Sequence, residues 1–443
     1  MSAADLTTRF FLAAAVILIV CKLVSMLVGR AGQPPVVGEM IAGVLLGPSL
    51  LGEISPRIET DLFPKALLPI VYVTGQLGLV ALMFQAGREL RGYLRPGIGA
   101  TASLISGLGV TVPFAAGIGL AFAADGRVAI FMPGVHVWVS ATFIGVTLAI
   151  TAFPMLARII MERRLSGTRF GLLALACGGI DDMAAWIMLA GVLSLASAKL
   201  WPFTKALVGA VLFAAILIFV IRPLLDRYLR RPDTSPQTVL LITMTLVLAA
   251  AWYTTDIGLY AVFGAFSIGL VMPPEPPEPP ASAASAASGS PMPASARTDL
   301  VGPAMDGMSR MLVPMFFTYS GLNTRFALLT NPRVLLFSAV AITVAVLAKG
   351  GACWLGARLA GESGSVPERI GILMNARGLM QLIALNVGLQ AGIATDDLFT
   401  SLVLVALTTT VMTSPLLSWV DRRDARSAPA SVPLAPGLDA AAG

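Results

Sequence analysis

Charge is scarce in this sequence. Asp, Glu, Lys and Arg make up 12% of 443 residues, while 56% are hydrophobic. A soluble chain of this length needs far more charge to cover its surface, so the long apolar runs read as membrane-spanning helices. Histidine is scarcer still: the only one, His136, falls in an expected loop. A His-rich zinc site and an HExxH protease are therefore excluded. The three cysteines, Cys21, Cys177 and Cys353, all lie inside apolar runs. They read as small apolar fillers, not a disulfide framework. The net charge of +6 is spread over short basic clusters between apolar runs. That distribution sets membrane topology and is no nucleic-acid footprint.

What is plentiful is apolar length. A helix crossing the hydrocarbon core needs roughly 20 mostly apolar residues. About thirteen stretches meet that rule, near 10–28, 34–52, 68–87, 98–123, 138–161, 168–197, 203–221, 236–254, 257–272, 309–327, 334–357, 367–392 and 397–419. The first could pass for a signal peptide, but it lacks a basic leader and holds Lys22, so it reads as a retained span. The expected class is an all-α polytopic membrane protein. Gly (43) and Met (19) are abundant, which suits close helix packing in lipid. With the loops numbered alternately, one side carries nineteen Lys and Arg and the other eight. The richer side should be cytoplasmic, which puts the N-terminus outside and the C-terminus inside, in the cell membrane. An even span count would scramble this bias.

Residues 273–296 are low-complexity Pro, Ala and Ser with no apolar period, and cannot build a core. The expected organisation is spans 1–9 over 1–272, a cytoplasmic linker over 273–308, spans 10–13 over 309–420, and a disordered cytoplasmic tail over 421–443.

Ionisable residues inside spans are the informative ones, since each costs ~2.5–3.5 kcal/mol at a helix centre. Asp181 and Asp182 sit mid-span in ACGGIDDMAAWIMLA, and Lys349 sits mid-span in VAVLAKGGACWLGA. A carboxylate holds either a proton or a dehydrated cation, and that competition couples the two in opposite directions. Neighbouring helix positions lie about 100° apart. One aspartate can thus face an ion cavity while the other reaches sideways to a partner such as Lys349. A purely structural ion pair is the bland alternative, but two adjacent acids exceed what one lysine neutralises. Lys22 and Glu39 sit near the cytoplasmic ends of their spans, where a side chain can snorkel.

Two spans look broken. TLAITAFPMLARII carries Pro154 in mid-helix, which should push Phe153 out of helical geometry. ILMNARGLMQLIALN carries Asn375, Arg377 and Gly378 inside an apolar run. Interrupted helices in corresponding positions point to a midplane ion site, and two such groups of opposite topology would form an inverted repeat.

At these residues the chain resembles the cation:proton antiporter-2 family of Kef-type, bacterial sodium/proton and plant CHX exchangers. The matching stretches are GEMIAGVLLGPSLLG (38–52), LGLVALMFQAGREL (77–90), ITAFPMLARII (150–160), GGIDDMAAWIMLA (178–190), FFTYSGLNT (316–324), AKGGACWLGARLAG (348–361) and NARGLMQLIALNVGL (375–389). They cover nearly the whole chain in the family's order. The resemblance implies thirteen helices with two crossed discontinuous ones, a homodimer, and separate core and dimerisation bundles. It implies that Asp182 carries the proton or the cation, Na+ or K+, with Asp181 beside it and Lys349 as salt-bridge partner. Thr151 and Asn375, at the breaks, would be secondary site residues, with Pro154 and Arg377 beside them. Many relatives have Gln or Asn where Asp181 stands, so the acidic pair points to the electrogenic subgroup. No cofactor is expected.

Other classes fit less well. A symporter of organic solutes on a related fold would present basic or neutral groups to an anion. An ion channel would show filter-like repeats, and none is present. An intramembrane aspartyl protease needs its two aspartates on separate helices, so no enzyme is expected.

Overall fold

The computed structural model describes residues 2–33, 35–48, 50–93, 97–128, 130–229, 235–272, 300–322 and 332–427. The chain runs through α1 (Ala3–Arg30), α2 (Pro35–Leu46), α3 (Leu51–Ile54), α4 (Pro56–Leu62), α5 (Leu68–Tyr93), α6 (Ile98–Ala124), α7 (Val137–Ala149), α8 (Phe153–Glu162) and α9 (Arg169–Ser197). It continues through α10 (Trp201–Ile216), a π-helical stretch (Leu217–Ile221), α11 (Arg222–Leu229), α12 (Pro236–Asp256), α13 (Ala261–Val271) and α14 (Val301–Leu322). The last elements are α15 (Pro332–Leu359), α16 (Val366–Leu373), α17 (Gly378–Gln390) and α18 (Asp396–Ser427).

Every expected span has a helix, or a pair of helices, at its place, with residues 323–327 of the tenth lying outside the described residues. Among the described residues, nine helical runs are long and apolar enough to cross a membrane. The other four expected spans depart for identifiable reasons. The fifth and twelfth are split into α7/α8 and α16/α17. The ninth shortens to α13, whose 11 residues reach only ~16 Å. The tenth, α14, carries an Asp306–Arg310 pair in its first half (2.6 Å).

Two boundaries need correction. α14 starts at Val301, inside the stretch assigned to the linker, because Val301 and Met305 are fully buried and Asp306 pairs one turn on with Arg310. The expected linker itself, 273–296, lies outside the described residues. α18 continues past residue 420 because Asp421 and Asp424 bind Arg369, the latter at 2.9 Å, while Arg423 binds Glu368 at 2.6 Å. The rest of the expected tail, from 428, lies outside the described residues.

The helices form two groups. α1, α2, α5, α12, α13 and α14 pack mainly on one another, and α6–α9 with α15–α18 form the second group. The stretch α10–π–α11 connects them, with α10 on α9 and the π turn on α13. Lipid tails are as apolar as leucine, so packing here depends on close approach. In the first group the backbones touch. A Cβ added to Gly321 would fall 2.0 Å from the Gly43 carbonyl carbon, and one added to Gly269 would fall 2.1 Å from the Phe84 carbonyl oxygen. α2, α5, α13 and α14 are thus pressed together where only glycine fits.

Candidate functional site

The site is built on α9, which starts on a Thr168 cap (Gly171 N to Oγ1, 3.1 Å). It runs unbroken through Asp181 and Asp182, both essentially inaccessible at 0% and 1% exposure. The two neighbours face different groups of helices, as consecutive positions on a helix must.

Asp181 faces the second group. Its Oδ2 accepts from Lys349 Nζ at 2.5 Å and from Thr151 Oγ1 at 3.0 Å, and its Oδ1 accepts from Ser106 Oγ at 2.5 Å. Lys349 also donates to the Ala149 carbonyl at 2.7 Å. Ala149 ends α7, so this carbonyl is among those that a helix C-terminus leaves without an intrahelical donor, at the negative end of the helix dipole. The lysine thus lies between a carboxylate and a helix end. Small residues on α6 admit it: a Cβ on Gly109 would come within 3.9 Å of Nζ and 2.6 Å of Cys353 Sγ.

Asp182 faces the seam between the groups. Neither of its carboxylate oxygens has a hydrogen-bond partner among the described residues, although both are buried. Gly179, Asp182 and Trp186 share one face of α9 at three- and four-residue spacing. Gly179 lies under the Phe266 ring of α13, 3.3 Å from where a Cβ would be. Trp186 stacks on Tyr260, which precedes α13, at 5.3 Å and 12°. Tyr260 in turn accepts a hydrogen bond from Gln76 of α5. Phe266 also meets Phe153 edge-on at 4.7 Å. Asp182 therefore sits on α9 between two aromatic contacts that cross the seam.

The two breaks meet beside this pair. Ala152 N donates to the Ala376 carbonyl at 3.1 Å, and Thr151 Oγ1 lies 3.3 Å from the Met374 carbonyl. Gly378 adopts φ +33°, and a Cβ there would press on Met155 at 3.0 Å, so glycine lets the starts of α8 and α17 cross. The first break is not where proline alone suggested. The gap is Ile150–Ala152, Phe153 is already helical, and Pro154 stands in the first turn of α8. Proline lacks the N–H that a first turn does not need, so it starts this half-helix instead of ending the previous one.

The expected secondary residues divide. Thr151 reaches Asp181. Asn375 does not: its Nδ2 donates to Gly371 and Val346 carbonyls at 3.0 and 3.4 Å. Arg377, fully buried, donates to the Ala345 carbonyl at 3.0 Å. Both tie the second break to α15, the helix that carries Lys349. Arg377 is, beside Lys349, a second fully buried basic residue of this region.

Sequence reading missed Ser106 and misjudged Glu39. Glu39 is 7% exposed and does not snorkel; it pairs with Arg158 at 3.2 Å, which also holds Glu162 at 2.5 Å. These three and Lys22 are among the charged side chains that line a cavity of about 1240 Å³ between α1, α2, α5, α8 and α14, at the end of the bundle that carries the arginine-rich loops. The partner of Glu39 lies 119 residues away, so no local pattern could reveal it.

Comparison with known proteins gives consistent results. The family described as "Sodium/hydrogen exchanger, transmembrane" matches residues 15–420. The chain is 33% identical over 421 residues to the Na(+)/H(+) antiporter NhaS4 of Synechocystis sp., covering 93% of this chain and 98% of that one. It is 35% identical to cation/H(+) antiporter 17 of Arabidopsis thaliana and 31% identical to K(+)/H(+) antiporter 1 of Saccharomyces cerevisiae. Of those two it spans only about half, 47% and 46% of their lengths. Its fold resembles the sodium proton antiporter MjNhaP1 of Methanocaldococcus jannaschii, with TM-score 0.63 at 14% identity over 98% of this chain and 100% of that one.

Proposed function

The chain belongs to the transmembrane sodium/hydrogen exchanger family, and from that premise we propose that it exchanges Na+ or K+ for protons at Asp182. The observation that carries this is the contrast on α9: a buried carboxylate with no hydrogen-bond partner among the described residues, next to one with three donors. A buried charge without a partner is costly. A proton relieves that cost, and so does a monovalent cation, but one carboxylate cannot hold both. Binding of one therefore requires departure of the other.

The seam supplies the movement. Asp182 lies where the two helix groups meet, so sliding of one against the other would carry it between the two faces of the membrane. The cavity lined by Glu39 and Arg158 lies at the arginine-rich end, though Asp182 is not among its lining residues, and the Trp186–Tyr260 stack supports closure towards the other end.

Lys349 gives the exchange its charge. We assign it a second proton, released when the cation is bound and regained when Asp182 is protonated. Two protons against one monovalent cation makes the exchange electrogenic. The remaining parts of the reading are a homodimer in the cell membrane, the N-terminus outside and the C-terminus cytoplasmic; the lopsided distribution of Lys and Arg supports that orientation.

The test is salt-driven proton movement in proteoliposomes, with NaCl and KCl added in turn. The reading expects proton release with at least one salt for the wild type and none for Asp182→Asn. Wild-type-like movement by that variant would overturn the assignment.

A further inference from the structure

Ser106 has no counterpart in the roles assigned so far. It sits on α6 at 1% exposure, with its hydroxyl oxygen 2.5 Å from Asp181 Oδ1 and 3.1 Å from the Cys177 carbonyl. A hydroxyl has one hydrogen, so it serves one of these acceptors at a time. The shorter contact is to the carboxylate, as expected if that group is ionised, because charge-assisted hydrogen bonds are the stronger kind.

The groups around Asp181 define what Ser106 can do. The charged or titratable ones are Lys349 and Cys353 of α15, Cys177 and Asp182 of α9, and Arg377 beyond Cys353. Among the described residues, only Lys349 donates to Asp181 as a cation. When Lys349 gives its proton away, an N–H bond breaks, the proton leaves to water, and the ammonium becomes a neutral amine. Asp181 is then left as the only charge of the pair. Its remaining donors are the Thr151 and Ser106 hydroxyls, and of the two only Ser106 reaches Oδ1.

We propose that Ser106 is a positioning residue that holds Asp181 as a carboxylate while Lys349 is without its second proton. This deepens the reading above and rests on the assignment of that proton to Lys349. The carboxylate is most in need of donors in the cation-bound step, when the lysine is neutral. Removing the hydroxyl raises the cost of that state more than the cost of the state with both charges present.

Proteoliposomes containing equal amounts of wild type, Ser106→Ala and Ser106→Thr test this. Cation flux and charge movement are measured together across a pH series. Ser106→Ala should move the exchange profile about one pH unit to the alkaline side, the scale of one charged hydrogen bond. Below that shifted range, charge moved per cation should fall at least two-fold. Ser106→Thr keeps the hydroxyl and should restore both values. An alanine variant with the wild-type profile and charge ratio overturns the role of Ser106. So does one that loses rate equally at every pH with its charge ratio intact, because that marks a packing role. A wild type that moves no net charge overturns the lysine assignment itself, and the role of Ser106 with it.

Discussion

The two sides of α9 carry the same chemical group in opposite circumstances. On the side facing α6 and α15, Asp181 has a lysine and two hydroxyls; on the side facing α13, Asp182 has aromatic neighbours along its helix face and no donor. Identical side chains one residue apart are thus assigned different work by their surroundings. The satisfied carboxylate ties α9 to α6, α15 and the first break, and the unsatisfied one is the group we propose to hold the proton or the cation.

This contrast can be broken in four ways. The largest effect should come from Asp182→Asn, which should reduce exchange at least 100-fold in proteoliposomes. Its thermal stability in detergent should hold or rise, because a neutral amide replaces a buried charge that the protein does not pair. Asp181→Asn should do the reverse. It strips the ionic partner from Lys349 and should cost about 3–5 kcal/mol, seen as a lower melting temperature, while exchange is weakened but measurable. If the two variants shift the melting temperature in the same direction, the division of labour between the two sides of α9 is wrong. Thr151→Val removes one of three donors and the link to Met374. It should cost about 1–2 kcal/mol and slow exchange several-fold; a rate equal to wild type would mean that Thr151 is dispensable to Asp181. The smallest effect is expected far from either side. Deleting most of 273–296 should leave flux unchanged in protein that reaches the membrane, since a Pro, Ala and Ser sequence without an apolar period has no face to pack into the core. Lost flux there would place a control element outside the seam.

How legible each part was in the sequence follows from what each residue costs in lipid. Asp181, Asp182 and Lys349 stood out because a charge in an apolar run is conspicuous by itself. Ser106 did not, because a hydroxyl in a membrane helix can satisfy itself. Thr111, Thr142 and Ser338 each bond a carbonyl one turn back in their own helices. A serine that reaches another helix looks the same in the sequence. The carbonyl of Ala149 leaves no trace either, since its role comes from where α7 stops. Proline marked the right span but the wrong side of the break, because the same residue that ends one helix is preferred at the start of the next. The span pattern was readable almost throughout; it failed at α13, which is shorter than its apolar run, at the end of the assigned linker, where α14 begins early, and at the start of the assigned tail, where ion pairs prolong α18.

The glycine contacts of the first helix group have a mechanical consequence. Where Gly43 meets Gly321, and Gly269 meets Phe84, backbone rests on backbone with no side chains between. Side chains act as compliant springs, able to change rotamer and let two helices slip past each other; main chain has no such play. If exchange proceeds by the sliding proposed above, that group would serve as the stator, and the seam, lined by Phe266, Tyr260, Trp186 and Phe153, as the bearing surface. Aromatic faces can glide, and interlocked carbonyls cannot. A single methyl group added at Gly321 would jack the frame apart and misalign the bearing without touching any residue that meets the ion.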